Sequence, residues 1–165
     1  MARLTRIAPC LWFYGQAEAA AQFYTSVFDN SRIIGLTRYG EAGREFHRQV
    51  PGTVMTVEFE LDGLAFTALN GTPAFPFTQA VSFQVHCDTQ GEIDRYWAKL
   101  GEGGDPAAQQ CGWLKDRFGL SWQVVPSMLV ELFLKGDAER SERMMQALMP
   151  MKKLDIDALQ RAWEG

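Results

Sequence analysis

The feature that most constrains this chain is an internal repeat. Ile7 to Tyr14 is an apolar, aromatic-rich run, and Ala17 to Phe28 follows with a helical stripe. The same order returns at Val81 to Cys87 and Gln90 to Leu100. Tyr24 and Tyr96 stand 72 residues apart, and that spacing aligns Ala8 with Ala80, Cys10 with Ser82, Phe13 with Val85 and Tyr14 with His86. Gly63 to Leu69 parallels Gly119 to Val125 at a spacing of 56. The shorter second spacing means that the second copy has lost residues between its helix and its closing hairpin. The first copy carries the polar loop Gly40 to Gly52 there.

Local patterns fill in the elements. Ala20, Phe23, Tyr24, Val27 and Phe28 recur at helical steps and make one apolar face. Ser31 to Tyr39 reads as a strand. Thr53 to Leu61 alternates, with Val54, Thr56, Glu58 and Glu60 on one side and Met55, Val57, Phe59 and Leu61 on the other. Asp62-Gly63 is a two-residue hairpin signal, and Leu64 to Leu69 returns beside it. In the second copy, Ala107 to Lys115 reads as extended and Leu120 to Val125 as the closing strand. Beyond Pro126 the chain reads as helices over Met128 to Leu134, Ala138 to Met149 and Ile156 to Trp163, with Asp137 and Asp155 as N-caps. These patterns predict an α+β fold of two tandem βαβββ modules with a C-terminal helical extension. They divide a single domain over 1–165 into module one at about 5–71, module two at about 79–126 and a tail at about 127–165. Two half-open sheets of this kind are expected to close around a cavity.

Composition excludes several classes. Sixteen basic against twenty acidic side chains give a net charge of −4 in 165 residues, without the basic footprint of a nucleic-acid binder. No apolar run reaches the length of a membrane span, and Met1 to Ala8 carries two arginines but no signal-peptide core. Cys10, Cys87 and Cys111 are few, odd in number and outside any CxxC pair, which predicts a reduced cytoplasmic protein.

Strand parity selects the candidate site residues. In Val81 to Cys87 the apolar set is Val81, Phe83 and Val85, so Ser82, Gln84 and His86 face away from the helix, toward the expected cavity. His86 is then a ligand donor or general base, or else a hydrogen-bonded histidine at the strand end. By the same parity Cys10, Trp12 and Tyr14 face the cavity from module one. Trp12 either stacks on a flat ligand or fills space. Cys10 is either a nucleophile with an activating base or a small buried thiol. Gln123 is an amide in an otherwise apolar strand, so its partners are a ligand, a water or the next strand. Thr67 occupies the matching place in the first closing strand. His47 reads as an exposed loop residue. Trp113 and Trp122 read as a cross-hairpin packing pair if the turn between their strands has two residues.

Several stretches carry a resemblance. Ile7 to Phe13, Ala17 to Ala20 with Phe23-Tyr24, Leu69-Asn70-Gly71, Cys111 to Asp116, Phe118 to Pro126 and Met151 to Ile156 are similar to the PhnB-like family. That family lies within the vicinal oxygen chelate superfamily of glyoxalase I, extradiol dioxygenases, fosfomycin-resistance transferases and bleomycin-binding proteins. It often carries the label 3-demethylubiquinone-9 3-methyltransferase. The resemblance implies a homodimer. In the superfamily's metal enzymes each module gives one ligand from its first strand, often His, and one from its last, often Glu. The matching positions here are Ala8 and Ala80, or Cys10 and Ser82, with Thr67 and Gln123, and none is His, Asp or Glu. The expectation is therefore no metal, no other cofactor, and an unidentified small organic ligand held by Cys10, Trp12, Thr67, Ser82, Gln84, His86 and Gln123, with no nucleic-acid or membrane partner. A divalent-metal enzyme of glyoxalase or dioxygenase type is the alternative, and a methyltransferase the second. Against the latter, Gly101-Glu102-Gly103-Gly104 follows a helix rather than a strand, so it is not a nucleotide-binding turn.

Overall fold

The structure is a computed structural model that describes residues 6–165. The stated start of module one, residue 5, lies outside the described residues. The chain forms two compact units, 1–76 and 77–165.

In the first unit β1 (Cys10–Phe13), α1 (Ala17–Val27), β2 (Arg32–Arg38), α2 (Arg44–His47), β3 (Val54–Leu61) and β4 (Leu64–Asn70) follow in order. Their sheet runs β1-β4-β3-β2, with β1 parallel to β4 and the other neighbours antiparallel. Alternation buries Val57, Phe59, Leu61, Phe66, Ala68, Leu11 and Phe13. Helix α1 packs on β3 and β4 and brings in Ala17, Ala20, Ala21, Tyr24 and Val27. Tyr24, Phe59 and Phe66 form a chain of stacked rings, with centroids 6.4 and 5.3 Å apart. The first strand begins at Cys10 rather than Ile7, so Ala8 sits in irregular chain before the sheet.

The Leu69-Asn70-Gly71 stretch is structural. Asn70 is buried; its Oδ1 accepts from the Ala17 amide at 2.9 Å and its Nδ2 donates to the Val54 carbonyl at 3.1 Å. One side chain thus ties the start of α1 to the end of β4. Such pairing is required of a buried amide.

The second unit contains β5 (Ser82–Cys87), α3 (Gln90–Gly101), a 3-10 turn (Pro106–Ala108), β6 (Trp113–Lys115), β7 (Ser121–Pro126), α4 (Ser127–Leu134), α5 (Ala138–Leu148) and α6 (Ile156–Glu164). Its sheet has three strands in the order β5-β7-β6. The mixed α+β architecture and the helical tail agree with the sequence reading, while the extended start expected at Ala107 is a 3-10 turn instead. Asp105 caps that turn by accepting from the Ala107 amide at 2.9 Å, and Pro106 brings no amide hydrogen to a ladder. Thr89 and Glu92 form a capping box at α3, and Asp137 and Asp155 cap α5 and α6 as expected.

The tail docks through backbone bonds. The amides of Cys111 and Gly112 donate to the carbonyls of Met151 and Lys152, both at 2.8 Å. Leu154 drops into a core with Val125, Leu129, Met144, Leu148, Leu159 and Trp163. Gly112 has φ +83, and a Cβ there would sit 2.9 Å from the Val124 carbonyl oxygen. Among the described residues no helix is long and apolar enough to cross a membrane.

Strand pairing corrects the register of the repeat. Phe13 is opposite Asn70, and Cys87 is opposite Pro126. Asn70 and Pro126 match at the spacing of 56, so Phe13 matches Cys87 at 74, not Val85 at 72. The helices match at 73, pairing Ala20 with Ile93, Tyr24 with Trp97 and Val27 with Leu100. The one-residue change arises because Tyr14-Gly15-Gln16 joins β1 to α1, whereas Asp88-Thr89 joins β5 to α3. Cys10 therefore corresponds to Gln84, and Ala8 to Ser82.

Candidate functional site

With the register corrected, one row of side chains recurs in both units. In the first, Cys10 lies opposite Thr67, and Thr67 opposite Glu58. In the second, Gln84 lies opposite Gln123, and Gln123 opposite Trp113. Directly opposed residues share a sheet face, so each row is continuous across three strands.

The first row is thiol, hydroxyl, carboxylate. Thr67 Oγ1 donates to Glu58 Oε2 at 2.6 Å. Cys10 is exposed rather than buried, yet partial desolvation, and then the Glu58 carboxylate, push its thiol above the ordinary value. A thiol held protonated is a poor nucleophile. Glu58 is the candidate that the sequence reading passes over; its place in the alternation of β3 already put it on this face. Trp12, two residues along from Cys10, is half-buried. Its Nε1 donates to the Thr72 carbonyl at 2.8 Å, and its ring meets Phe75 edge-on at 5.2 Å. That indole is committed to the loop after β4, which favours the packing role over stacking on a ligand.

The second row carries amides. Gln123 Nε2 donates to Ser82 Oγ at 2.8 Å, and Gln84 Nε2 reaches Gln123 Oε1 at 3.4 Å. The bond from Gln84 is long, so the Gln123 oxygen keeps accepting capacity. Ser82, Gln84 and Gln123 are thus brought together. His86 lies opposite Val125 at the strand end, exposed, its imidazole without a hydrogen bond among the described residues. Ser121, opposite Ser82, is buried with its hydroxyl unpaired.

Other polar residues prove architectural. Asp116 is buried; Oδ1 accepts from the amides of Phe118 and Leu120 at 2.8 and 3.1 Å, and Oδ2 accepts from the Trp122 indole at 2.8 Å. The hairpin turn it closes spans 116–120, not two residues. Trp113 therefore opposes Gln123, and Trp122 opposes Leu114 on the other face, so the two tryptophans are not a cross-hairpin pair. His47 is half-buried rather than exposed and lies 4.5 Å from the Tyr39 ring. Burial, aided by Glu92 and Asp88, pushes the Cys87 thiol up to about 12, which suits a packing residue.

The superfamily's metal chemistry can be tested on these donors. The matching positions offer a protonated thiol, a hydroxyl engaged by Glu58, and amides bonded to one another. Hard divalent ions prefer carboxylates and imidazoles. Among the described residues no group of three His, Cys, Asp or Glu side chains is arranged to hold an ion. The donor set does not fit a divalent ion. Gly104 serves packing, since a Cβ on it would lie 2.0 Å from the Lys115 carbonyl oxygen, and Gly103 serves the turn with φ +72.

Residues 5–125 match the family model described as 3-demethylubiquinone-9 3-methyltransferase. No curated protein matches the chain. Among solved structures the chain is similar to a PhnB protein from Bacillus cereus at 35% identity, covering 74% of this chain and 100% of that one, with a TM-score of 0.65. It is similar to protein PA1353 from Pseudomonas aeruginosa at 21% identity, covering 74% and 98%, with a TM-score of 0.57, a likeness of fold. The fosfomycin resistance protein FosX of Listeria monocytogenes aligns at 14% identity over 78% and 98%, with a TM-score of 0.49.

Proposed function

Because the chain belongs to the 3-demethylubiquinone-9 3-methyltransferase family, the PhnB-like branch of the vicinal oxygen chelate superfamily, we propose that it binds a small organic molecule through the polar faces of its sheets, without a resident metal. The observation that carries this reading is the Ser82–Gln123–Gln84 cluster. It is a set of linked amides and a hydroxyl on one sheet face, with an acceptor to spare on Gln123. Such a cluster recognises a neutral hydroxyl or carbonyl by donating and accepting at once. Cys10 and Thr67 offer the matching row in the first unit, with Glu58 as its hydrogen-bond acceptor.

We place the protein in the cytoplasm as a homodimer. Three unpaired cysteines support the compartment. Exposed Val130, Leu134 and Met145 on the tail support a covered surface there.

The test is a thermal-shift screen of neutral phenols, quinones and ketones on the wild type and on Gln123→Leu. A compound that raises the melting temperature of the wild type, with the shift lost in a folded Gln123→Leu, supports the reading. Binding unchanged by the substitution overturns the assignment of Gln123. Metal content after incubation with nickel, zinc, manganese and iron separates the metal-enzyme alternative, which requires about one ion per chain. The methyltransferase alternative, favoured by the family's description, requires saturable binding of S-adenosylmethionine.

A further inference from the structure

We propose that the second unit holds a binding site for an uncharged, flat organic molecule, in the cavity beside the outer edge of β6, next to Gln123 on the sheet but lined by none of Ser82, Gln84 and Gln123. In the first unit β3 has β2 beyond it; in the second, the corresponding β6 ends the sheet. The short connection between α3 and β6 supplies only the 3-10 turn, which packs against β6. A cavity of about 440 Å³ lies there, lined by the turn, by the approach to β6 and by Met149. That volume falls within the roughly 300–1,000 Å³ of small-molecule sites.

The lining specifies the occupant. Trp113 and Met149 line it, and an indole and a thioether are polarisable groups that favour an aromatic ring. Ala107 and Ala108 add methyl groups. Among the described lining residues the side-chain amides are those of Gln79 and Gln110, and none carries a charged side chain. An ionised ligand would lose hydration there without a counter-charge, whereas a single hydroxyl or carbonyl finds an amide.

The walls are tied together without a ligand. Cys111 Sγ donates to the Met149 carbonyl at 3.3 Å, and the Cys111 amide donates to Met151 at 2.8 Å. Gln110 and Trp113 exchange backbone bonds at 3.1 and 2.8 Å. A cavity fixed in this way costs a ligand little reorganisation.

The experiment is titration of the full chain with 1-naphthol and, separately, 1-naphthoate, followed by calorimetry and by the Trp113 indole resonance, assigned with Trp113→Phe. The expected result is saturable binding of 1-naphthol that persists in Gln123→Leu, at least tenfold weaker binding of the carboxylate, and a shifted Trp113 signal. Ala108→Trp fills the cavity from the turn and should weaken 1-naphthol at least tenfold. Met149→Trp does so from the exposed end of α5, and serves if the turn rejects the first substitution. No saturable binding of 1-naphthol, equal binding of the charged analogue, or binding that survives in a folded filling variant overturns the proposal.

Discussion

Gly71 lies under the indole of Trp12 so closely that a Cβ on it would stand 1.9 Å from Trp12 Cζ2. The absence of a side chain at Gly71 leaves room for the large aromatic of β1 over the loop after β4. There its Nε1 donates to Thr72 and its ring meets Phe75. Gly71→Ala must displace the indole, because a Cβ so close to its ring atoms cannot share the space. The expected cost is about 1–3 kcal/mol, typical of overpacking a well-filled site. It is measured by urea denaturation, and a changed Trp12 emission should accompany it. A variant as stable as the wild type with unchanged emission would refute the contact.

Cys10 and Glu58 make a second prediction, in reactivity rather than stability. The Glu58 carboxylate disfavours the Cys10 thiolate and adds to the effect of desolvation. Removing the negative charge should lower the thiol's pKa, so the sign is an increase in thiolate at fixed pH. Glu58→Gln should therefore speed alkylation of Cys10 by iodoacetamide at neutral pH and move its rate-against-pH curve to lower pH. Cys87, fully buried with its thiol pushed up to about 12, should stay unreactive in both proteins and serve as the internal reference. An unchanged or slower rate at Cys10 would show that the carboxylate does not act on it.

The sequence reading succeeds in β3 and β5, where alternation assigns the faces. Alternation in β3 puts Glu58 with Thr56 and Glu60 on one face, and the apolar set Val81, Phe83 and Val85 assigns Ser82, Gln84 and His86 to the other side of β5. It falls short where one residue of loop length matters. Of the two residues between a spacing of 72 and one of 74, one comes from matching Tyr24 to Tyr96 rather than Trp97 and one from Tyr14-Gly15-Gln16 against Asp88-Thr89, and the pairing of Phe13 with Asn70 and Cys87 with Pro126 decides it. Trp113 is misplaced for a related reason. The turn before β7 is closed by the Asp116 side chain over residues 116–120, and a buried carboxylate serving three donors leaves no two-residue signature. The exposed Cys10 shows a third limit: parity gives the face of a residue, while its burial depends on what covers that face.

The tail supplies the last prediction. Lys152 and Met151 accept backbone bonds from Gly112 and Cys111, so the segment after α5 is joined to the chain leading into β6. Backbone bonds of this kind are sequence-blind, and what sets their register is the side chain that follows. Leu154 is fully buried among Val125, Leu129, Met144, Leu148, Leu159 and Trp163. Its carbonyl also accepts from Gln90 Nε2 at 3.1 Å, while Gln90 Oε1 accepts from the Ile156 amide at 2.9 Å. Leu154→Ala should cost about 2–5 kcal/mol, the range for truncating a core leucine. Because the same segment holds Cys111 and Gly112, hydrogen exchange at those two amides should accelerate, while Ala17 in the first unit keeps its protection. If Leu154→Ala unfolds at the wild-type urea midpoint, or leaves the Cys111 and Gly112 amides as protected as before, the tail is not what fixes this corner of the second unit.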